Sequence, residues 1–337
     1  MSKGGGGENH LLLSLRRKQM KIVILERNTV GADVDVSAME QFGEVAVYTD
    51  TTPETVAKRV KDADIIVANK MPLNESTLKD AANVKLIEEF ATGYDNIDTE
   101  YCRSRNIAVC NVSNYSTDSV VQHTFAMALS LMESLPWYDS FVKSGQYSNS
   151  GIFTYFGKEF SQISSLTWGV SGMGNIGKKV ALVARAFGAE VVCYSTSGVN
   201  NVIGYKFLDK EAFFSQCDII SLHCPLNDRT RHLVNEKTLS LMKPSAILIN
   251  VARGAVVDSA SLANAIDERM IAAAGIDVME REPISPEDPL MHVKNKERLL
   301  LTPHMAWASR EARQKVVSEA CKNIEAFLAG EERNRIV

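Results

Sequence analysis

Four short segments of this 337-residue chain carry the side chains from which chemistry could be built. WGVSGMGNIGKKVALVARAF (168–187) holds Gly172-x-Gly174-x-x-Gly177 directly after an apolar run and directly before an amphipathic one. Gly172 permits a tight turn, Gly174 lets backbone approach a pyrophosphate, and Gly177 lets helix pack close to strand. The helix start then offers free N–H groups to an anion. Further on, ILINVARGAVVD carries Arg253, AGIDVMEREP carries Asp277 and Glu282, and LLLTPHMAW carries His304, each just past an apolar run. A fixed cation, carboxylates and an imidazole are the groups used for anion binding and proton transfer. Each alone is an ordinary loop residue. Three of them at strand ends beyond a dinucleotide turn point to one shared crevice, because open α/β sheets bind ligands past the carboxyl ends of their strands.

The elements that must position them alternate. KIVIL, EVAVY, DIIVA, KLIEEF and IAVCN read as strands buried on both faces, each followed by a helical or turn segment. From Asp118 a long apolar segment, SVVQHTFAMALSLMESL, has helical length and apolar residues on more than one face, so deep burial or a subunit interface is expected. A second series follows: SLTWGVSG, EVVCYS, CDIISLHC, SAILINVA, IAAAGIDV and RLLLTPH. Two such series predict an α/β protein of two doubly wound Rossmann-like domains with parallel sheets. SREARQKVVSEACKNIEAFLAG reads as a final amphipathic helix capped by Gly330.

Composition narrows the classes. Thirty-seven basic against 41 acidic side chains leave a net charge of -4, which argues against a nucleic-acid partner. No stretch approaches the apolar length of a membrane helix. The six cysteines are scattered through apolar stretches with no Cys-x-x-Cys pair, and His123, His223, His232 and His292 show no ligand spacing; free thiols in a cytoplasmic protein without a metal are expected. Residues 1–19, with the Gly4–Gly7 run, read as a disordered leader, a tag or an upstream start.

One position departs from the usual dinucleotide pattern. A carboxylate normally ends the second strand and accepts from the adenosine ribose hydroxyls; here Ser195 stands there. Ser195, Thr196 and Ser197 could donate to a ribose phosphate, yet no Arg or Lys lies beside them, and Lys206 is the nearest basic residue downstream. The reading leaves NADP(H) open and leans to NAD(H).

With these segments in view, the chain from about Met20 onward resembles the D-isomer-specific 2-hydroxyacid dehydrogenases. The likeness rests on ATGYDNID (91–98), STDSVVQHTFAM (116–127), the glycine turn, HCPLNDRT (223–230), INVARGAVVD (249–258), AGIDVMEREP (274–283) and TPHMAW (302–307). YSTDSVVQHTFA and TPHMAWASREAR look most like the glycerate dehydrogenase, or hydroxypyruvate reductase, branch. The resemblance implies hydride transfer between a nicotinamide cofactor and a small 2-keto acid, giving a D-2-hydroxy acid. It implies that Arg253 holds the substrate carboxylate, that His304 gives a proton to the keto oxygen, and that Glu282 hydrogen-bonds His304 and favours its charged form. Asp277 would accept from the nicotinamide carboxamide. Cys224, Pro225 and Thr230 would line the cofactor, with Asn175, Ile176, Val251 and Ala252. Lys70, Thr92 and Gly93 would bind the substrate, the last two through backbone N–H groups.

The resemblance also rearranges the linear plan. Residues 20–115 and 304–337 would form the substrate domain, 116–303 the dinucleotide domain inserted between, and the cleft would lie between the two. The helix 118–135 and the Pro136-Trp137 stretch resemble a dimer contact, implying a homodimer through the nucleotide-binding domain. The same family includes corepressor-like proteins that sense NAD(H) with little turnover, and the Arg, Glu and His set does not exclude them.

Overall fold

Uninterrupted runs of Val, Ile and Leu are stable as strands where both faces are covered, and nearly all of those in this chain lie in parallel sheets. The computed structural model describes residues 20–199 and 202–337, so the leader read at 1–19 lies outside the described residues. The chain divides into two units: one runs to Ser116 and resumes at Ala308–Val337, and the other is Thr117–Trp307.

In the first unit, β1 (Lys21–Ile24), β2 (Glu44–Val47), β3 (Ile65–Ala68), β4 (Leu86–Glu89) and β5 (Ala108–Cys110) form a parallel sheet in the order β2-β1-β3-β4-β5. The order reverses at β1, so the loops after β1 and β3 flank the switch point. Glu26 follows β1, and one of its carboxylate oxygens accepts from the backbone N–H groups of Asn69, Lys70 and Met71 at 2.9–3.0 Å. The C-terminal helix Arg310–Ala329 belongs to this unit. Ser309 caps its start, Gly330 ends it at φ +77°, and it buries Val316, Val317, Ala320 and Ile324.

The second unit has seven parallel strands: β6 (Thr167–Ser171), β7 (Glu190–Tyr194), β8 (Lys206–Phe207), β9 (Ile219–Leu222), β10 (Ile247–Asn250), β11 (Ala273–Ile276) and β12 (Leu299–Leu301). Their order is β12-β11-β10-β9-β6-β7-β8, which reverses between β6 and β9. The fully buried Trp168, Phe213 and Phe214 fill the layers beside the sheet, and Trp168 Nε1 donates to Ser221 Oγ at 2.9 Å. The helix expected over 118–135 ends slightly earlier, and a second helix follows it. Thr117–Met132 ends, Ser134 takes a left-handed φ of +50°, and Leu135–Lys143 begins anew. Pro136 explains the break, since its ring cannot continue a helix but suits a first turn. The unit boundary at Ala308 leaves His304 with the second unit, where the sequence reading had begun the substrate domain; hydrogen bonds from His304, Met305 and Ala306 to Asp277 fasten the segment there.

Strand β4 carries an unexpected load, because Glu88 and Glu89 are both fully buried. Glu88 accepts from Asn323 Nδ2 at 2.8 Å and Glu89 from Asn96 Nδ2 at 3.2 Å, while each keeps one carboxyl oxygen without a partner. Burial disfavours the charged form, pushing Glu88 well up and Glu89 from 4.5 to about 8. A folded-state value above the unfolded one means folding takes up a proton. The stabilisation is complete below about 4.5 and is lost as pH rises toward about 8. Thermal melts from pH 5 to 8.5 should therefore show wild-type stability falling with pH. Glu89→Gln, which keeps the acceptor without the charge, should flatten that fall by a few degrees. Parallel melting curves for the two proteins would show that Glu89 does not carry it.

Candidate active site

The glycine turn sits where the seven-stranded sheet reverses. Gly172 has φ +91°, and a Cβ there would lie 2.6 Å from the backbone nitrogen of Cys224, so only glycine fits. A Cβ on Gly177 would lie 2.0 Å from the Gly172 carbonyl oxygen, whereas open space adjoins Gly174. The helix Asn175–Ala186, which includes Ile176, starts from Gly174. Together with the loops after β7 and β9, the turn encloses a cavity of about 580 Å³, lined by Gly172, Gly174, Ser195, His223, Pro225 and Arg229 among others.

The cavity's polar groups fit a dinucleotide. Both ring nitrogens of His223 are shielded from solvent and have no hydrogen-bond partner among the described residues, and Ser171 Oγ behind the turn has none either. Burial pushes His223 down to about 3, so the imidazole is neutral and can both donate and accept. Orphaned groups of this kind beside an open backbone turn suit a polar ligand. The cofactor-side expectations divide here. Gly172, Gly174, Ser195 and Pro225 line the cavity, but Cys224 and Thr230 are buried behind its wall. Thr230 Oγ1 donates to the Pro225 carbonyl at 2.7 Å and so shapes the turn instead.

The proton-transfer candidates meet on the other strand ends of the same unit. Glu282 Oε2 lies 2.7 Å from His304 Nδ1, while its Oε1 accepts from the Met279 N–H at 3.1 Å. The carboxylate is thus anchored at one oxygen and grips the imidazole with the other. His304 has φ +54°, a conformation that costs an L-residue about 1–2 kcal/mol. What holds it there is Asp277. Its backbone carbonyl accepts from the His304 N–H at 2.7 Å, and its carboxylate accepts from the backbone of Met305 and Ala306, both at 2.9 Å, and from the Thr302 hydroxyl. His123 Nε2 completes the chain, 3.1 Å from Thr302 Oγ1. Asp277 is fully buried beneath this loop, where its hydrogen bonds position the segment that carries His304.

Arg253 follows β10 through buried Val251 and Ala252. Asn250, also buried, shapes that turn: its Oδ1 accepts from the Ala252 N–H at 3.1 Å and its Nδ2 donates to the Arg253 carbonyl at 3.0 Å. Sequence reading missed Asn250, and the signal was an Asn closing an otherwise apolar strand. In the first unit, Lys70 and Thr92 are exposed in the loops after β3 and β4, with Gly93 beside them. The Thr92 hydroxyl donates to the Val112 carbonyl at 2.9 Å, which fixes the turn and leaves the neighbouring backbone for a ligand.

A second polar cluster was invisible to spacing. His232 lies 3.1 Å from Glu280 and 3.6 Å from Asp258, and the three could offer ligand atoms within 4.8 Å of one another. Both carboxylates already work as backbone acceptors, Asp258 for Ser261 N–H and Glu280 for Ser259 N–H, so the cluster ties together the start of the helix Ser259–Asp267.

Known proteins share this arrangement. Residues 125–306 match the family model of the D-isomer specific 2-hydroxyacid dehydrogenase, NAD binding domain. A glycerate dehydrogenase of Methylorubrum extorquens is 35% identical over 93% of this chain and 98% of its own. A hydroxypyruvate reductase of Blautia hydrogenotrophica is 31% identical over 94% and 99%. Among solved structures, an acyclic imino acid reductase in complex with NADPH and D-Arg superposes with a TM-score of 0.83, at 29% identity over 94% of this chain and 100% of that one. Matches that span both units, together with the cavity at the sheet's switch point, establish that the chain belongs to the D-isomer specific 2-hydroxyacid dehydrogenase family.

Proposed function

We propose that the protein reduces a small 2-keto acid to its D-2-hydroxy acid with a nicotinamide dinucleotide, hydroxypyruvate or glyoxylate being the favoured type of substrate. The observation that carries this is the 2.7 Å pairing of His304 with Glu282 at the strand ends of the unit that holds the glycine turn. Gly172, Gly174 and the start of the helix Asn175–Ala186 would hold the pyrophosphate, and His223 would meet the bound dinucleotide with its free nitrogens. When bound in reduced form, the dinucleotide supplies a hydride to carbon two of the acid.

The chain supplies the rest. Glu282 keeps a proton on His304 Nδ1 and fixes the ring, leaving Nε2 to give its proton to the keto oxygen. Arg253 is assigned the substrate carboxylate, for which its fork of donors is suited, and it draws charge toward the keto oxygen. Lys70, Thr92 and Gly93 are the substrate residues assigned to the first unit. The names of the two relatives favour the three-carbon hydroxy acid, and glyoxylate is its smaller analogue. The cysteines are all free and buried, and burial pushes Cys217 to about 12, which suits a cytoplasmic, reducing setting. Among the described residues no helix is long and apolar enough to cross a membrane.

A homodimer belongs to the same reading. Phe153, Phe156 and Phe160, 94%, 87% and 60% exposed, lie just past the helix Leu135–Lys143, where Trp137 stacks on Phe141 at 5.3 Å. Large aromatic side chains left in water within one short segment suit an interaction surface, and a second copy of the chain is the partner proposed for it.

Reduced-nicotinamide absorbance, followed with hydroxypyruvate, glyoxylate, pyruvate and phenylpyruvate, tests the activity. Tight cofactor binding with no turnover on any acid would favour a sensing protein instead. His304→Ala should lower turnover by about 10²- to 10⁴-fold with cofactor affinity nearly intact; near-normal turnover would refute the proton-donor role. Arg253→Ala should raise the apparent KM by about 10- to 100-fold and also cut turnover. Light scattering after gel filtration should give twice the chain mass of 37.1 kDa for the wild type and a shift toward one chain for Phe156→Asp. A monomeric wild type would remove the dimer.

A further inference from the structure

The far end of the glycine-turn cavity contains a feature that the linear sequence hides. Ser195 directly follows β7, at the position where a carboxylate would accept from the ribose hydroxyls, and Ser195, Thr196 and Ser197 all line the cavity. No basic residue stands beside them in sequence. The fold supplies one from the loop after β9: Arg229 lines the same cavity, and its Nη1 lies 3.5 Å from the Ser197 carbonyl, 32 positions away along the chain. β7 and β9 flank β6 in the sheet, so the loops at their carboxyl ends come together over the glycine turn.

The chemistry of this corner favours an anion. Among the described residues Arg229 forms no ion pair, so its charge is not spent on the protein. Ser195 Oγ donates to the Val199 carbonyl at 2.9 Å and lies 3.3 Å from Ser197 Oγ, which curls the loop and gathers its hydroxyls at one edge of the cavity. Among the described residues the Thr196 hydroxyl has no partner. The one carboxylate of the cavity lining, Asp228, is on the Arg229 turn and not at the end of β7, where ribose hydroxyls would be bound. A guanidinium fork beside hydroxyl donors matches a phosphate monoester, and a hydroxyl pair in its place would leave the guanidinium without a charged partner.

Resting on the dinucleotide reading above, we infer that Arg229, with the hydroxyls of Ser195, Thr196 and Ser197, forms a seat for the phosphate on the adenosine ribose, so that the protein takes NADP(H) in preference to NAD(H). One charge-assisted contact to a phosphate supplies a preference of at least about 10-fold. Because the site is exposed, the preference should shrink as salt is raised.

Titration calorimetry of the full-length protein with NADPH, NADH and adenosine 2′,5′-bisphosphate tests it, in the wild type and in Arg229→Ala. The expected result is NADPH bound at least about 10-fold tighter than NADH, measurable binding of the bisphosphate, and a margin that collapses toward one in the variant. Equal affinities in the wild type, tighter NADH, or an undiminished margin in Arg229→Ala would overturn the inference. If NADH binds tightly and only the margin is missing, the dinucleotide reading stands and the phosphate seat alone falls. If neither dinucleotide binds, both fall together.

Discussion

The buried carboxylate of Asp277 is the constraint on which the proton-transfer geometry rests. Its oxygens accept from two consecutive backbone N–H groups and a hydroxyl of the segment 302–306, and its own carbonyl takes the His304 N–H. A buried carboxylate is tolerable only when its lone pairs are used in this way. The loop it fastens is held in place, and His304 is set at an angle that Glu282 is placed to meet. Remove that anchoring and the imidazole would remain in the chain but lose its orientation, for which catalysis is far less forgiving than folding.

The same logic recurs in each of the two sheets. Glu26 gathers three backbone N–H groups after β3, and Asn250 folds the chain back on itself before Arg253. In each case a short polar side chain at a strand's carboxyl end replaces the hydrogen bonds that the loop backbone would otherwise seek from water. Within each sheet, parallel strands bring such ends to one edge, so fastenings made independently on separate strands, as at Asn250 and Asp277, act side by side.

Much of this was legible in the letters. Apolar runs named the strands because burial on both faces tolerates no alternation, and the glycine turn named the phosphate cradle because no other residue fits at Gly172. Arg253, Glu282 and His304 were recognised from their strand-end positions, and the pairing of Glu282 with His304 came only with the family resemblance. Spacing failed where function depends on neighbours across the sheet. Arg229 could not be joined to Ser195 without the strand order, and His232, Asp258 and Glu280 come from three different loops. Hydrophobic patterning named β4 as a buried strand but could not show how Glu88 and Glu89 are carried inside with it. That Asp277 also anchors the 302–306 loop was hidden for a related reason: a carboxylate at a strand end gives no sign in sequence of the loop that covers it.

The left-handed backbone at His304 sets local ease against purpose. Glycine or asparagine would rest there comfortably, whereas histidine occupies the position at a cost of about 1–2 kcal/mol that the surrounding bonds must absorb. Selection for heat resistance alone would therefore be drawn to this residue and would discard it, hardening the protein while removing the group proposed to carry the proton. Any effort to harden this scaffold has to shield position 304 from its own scoring.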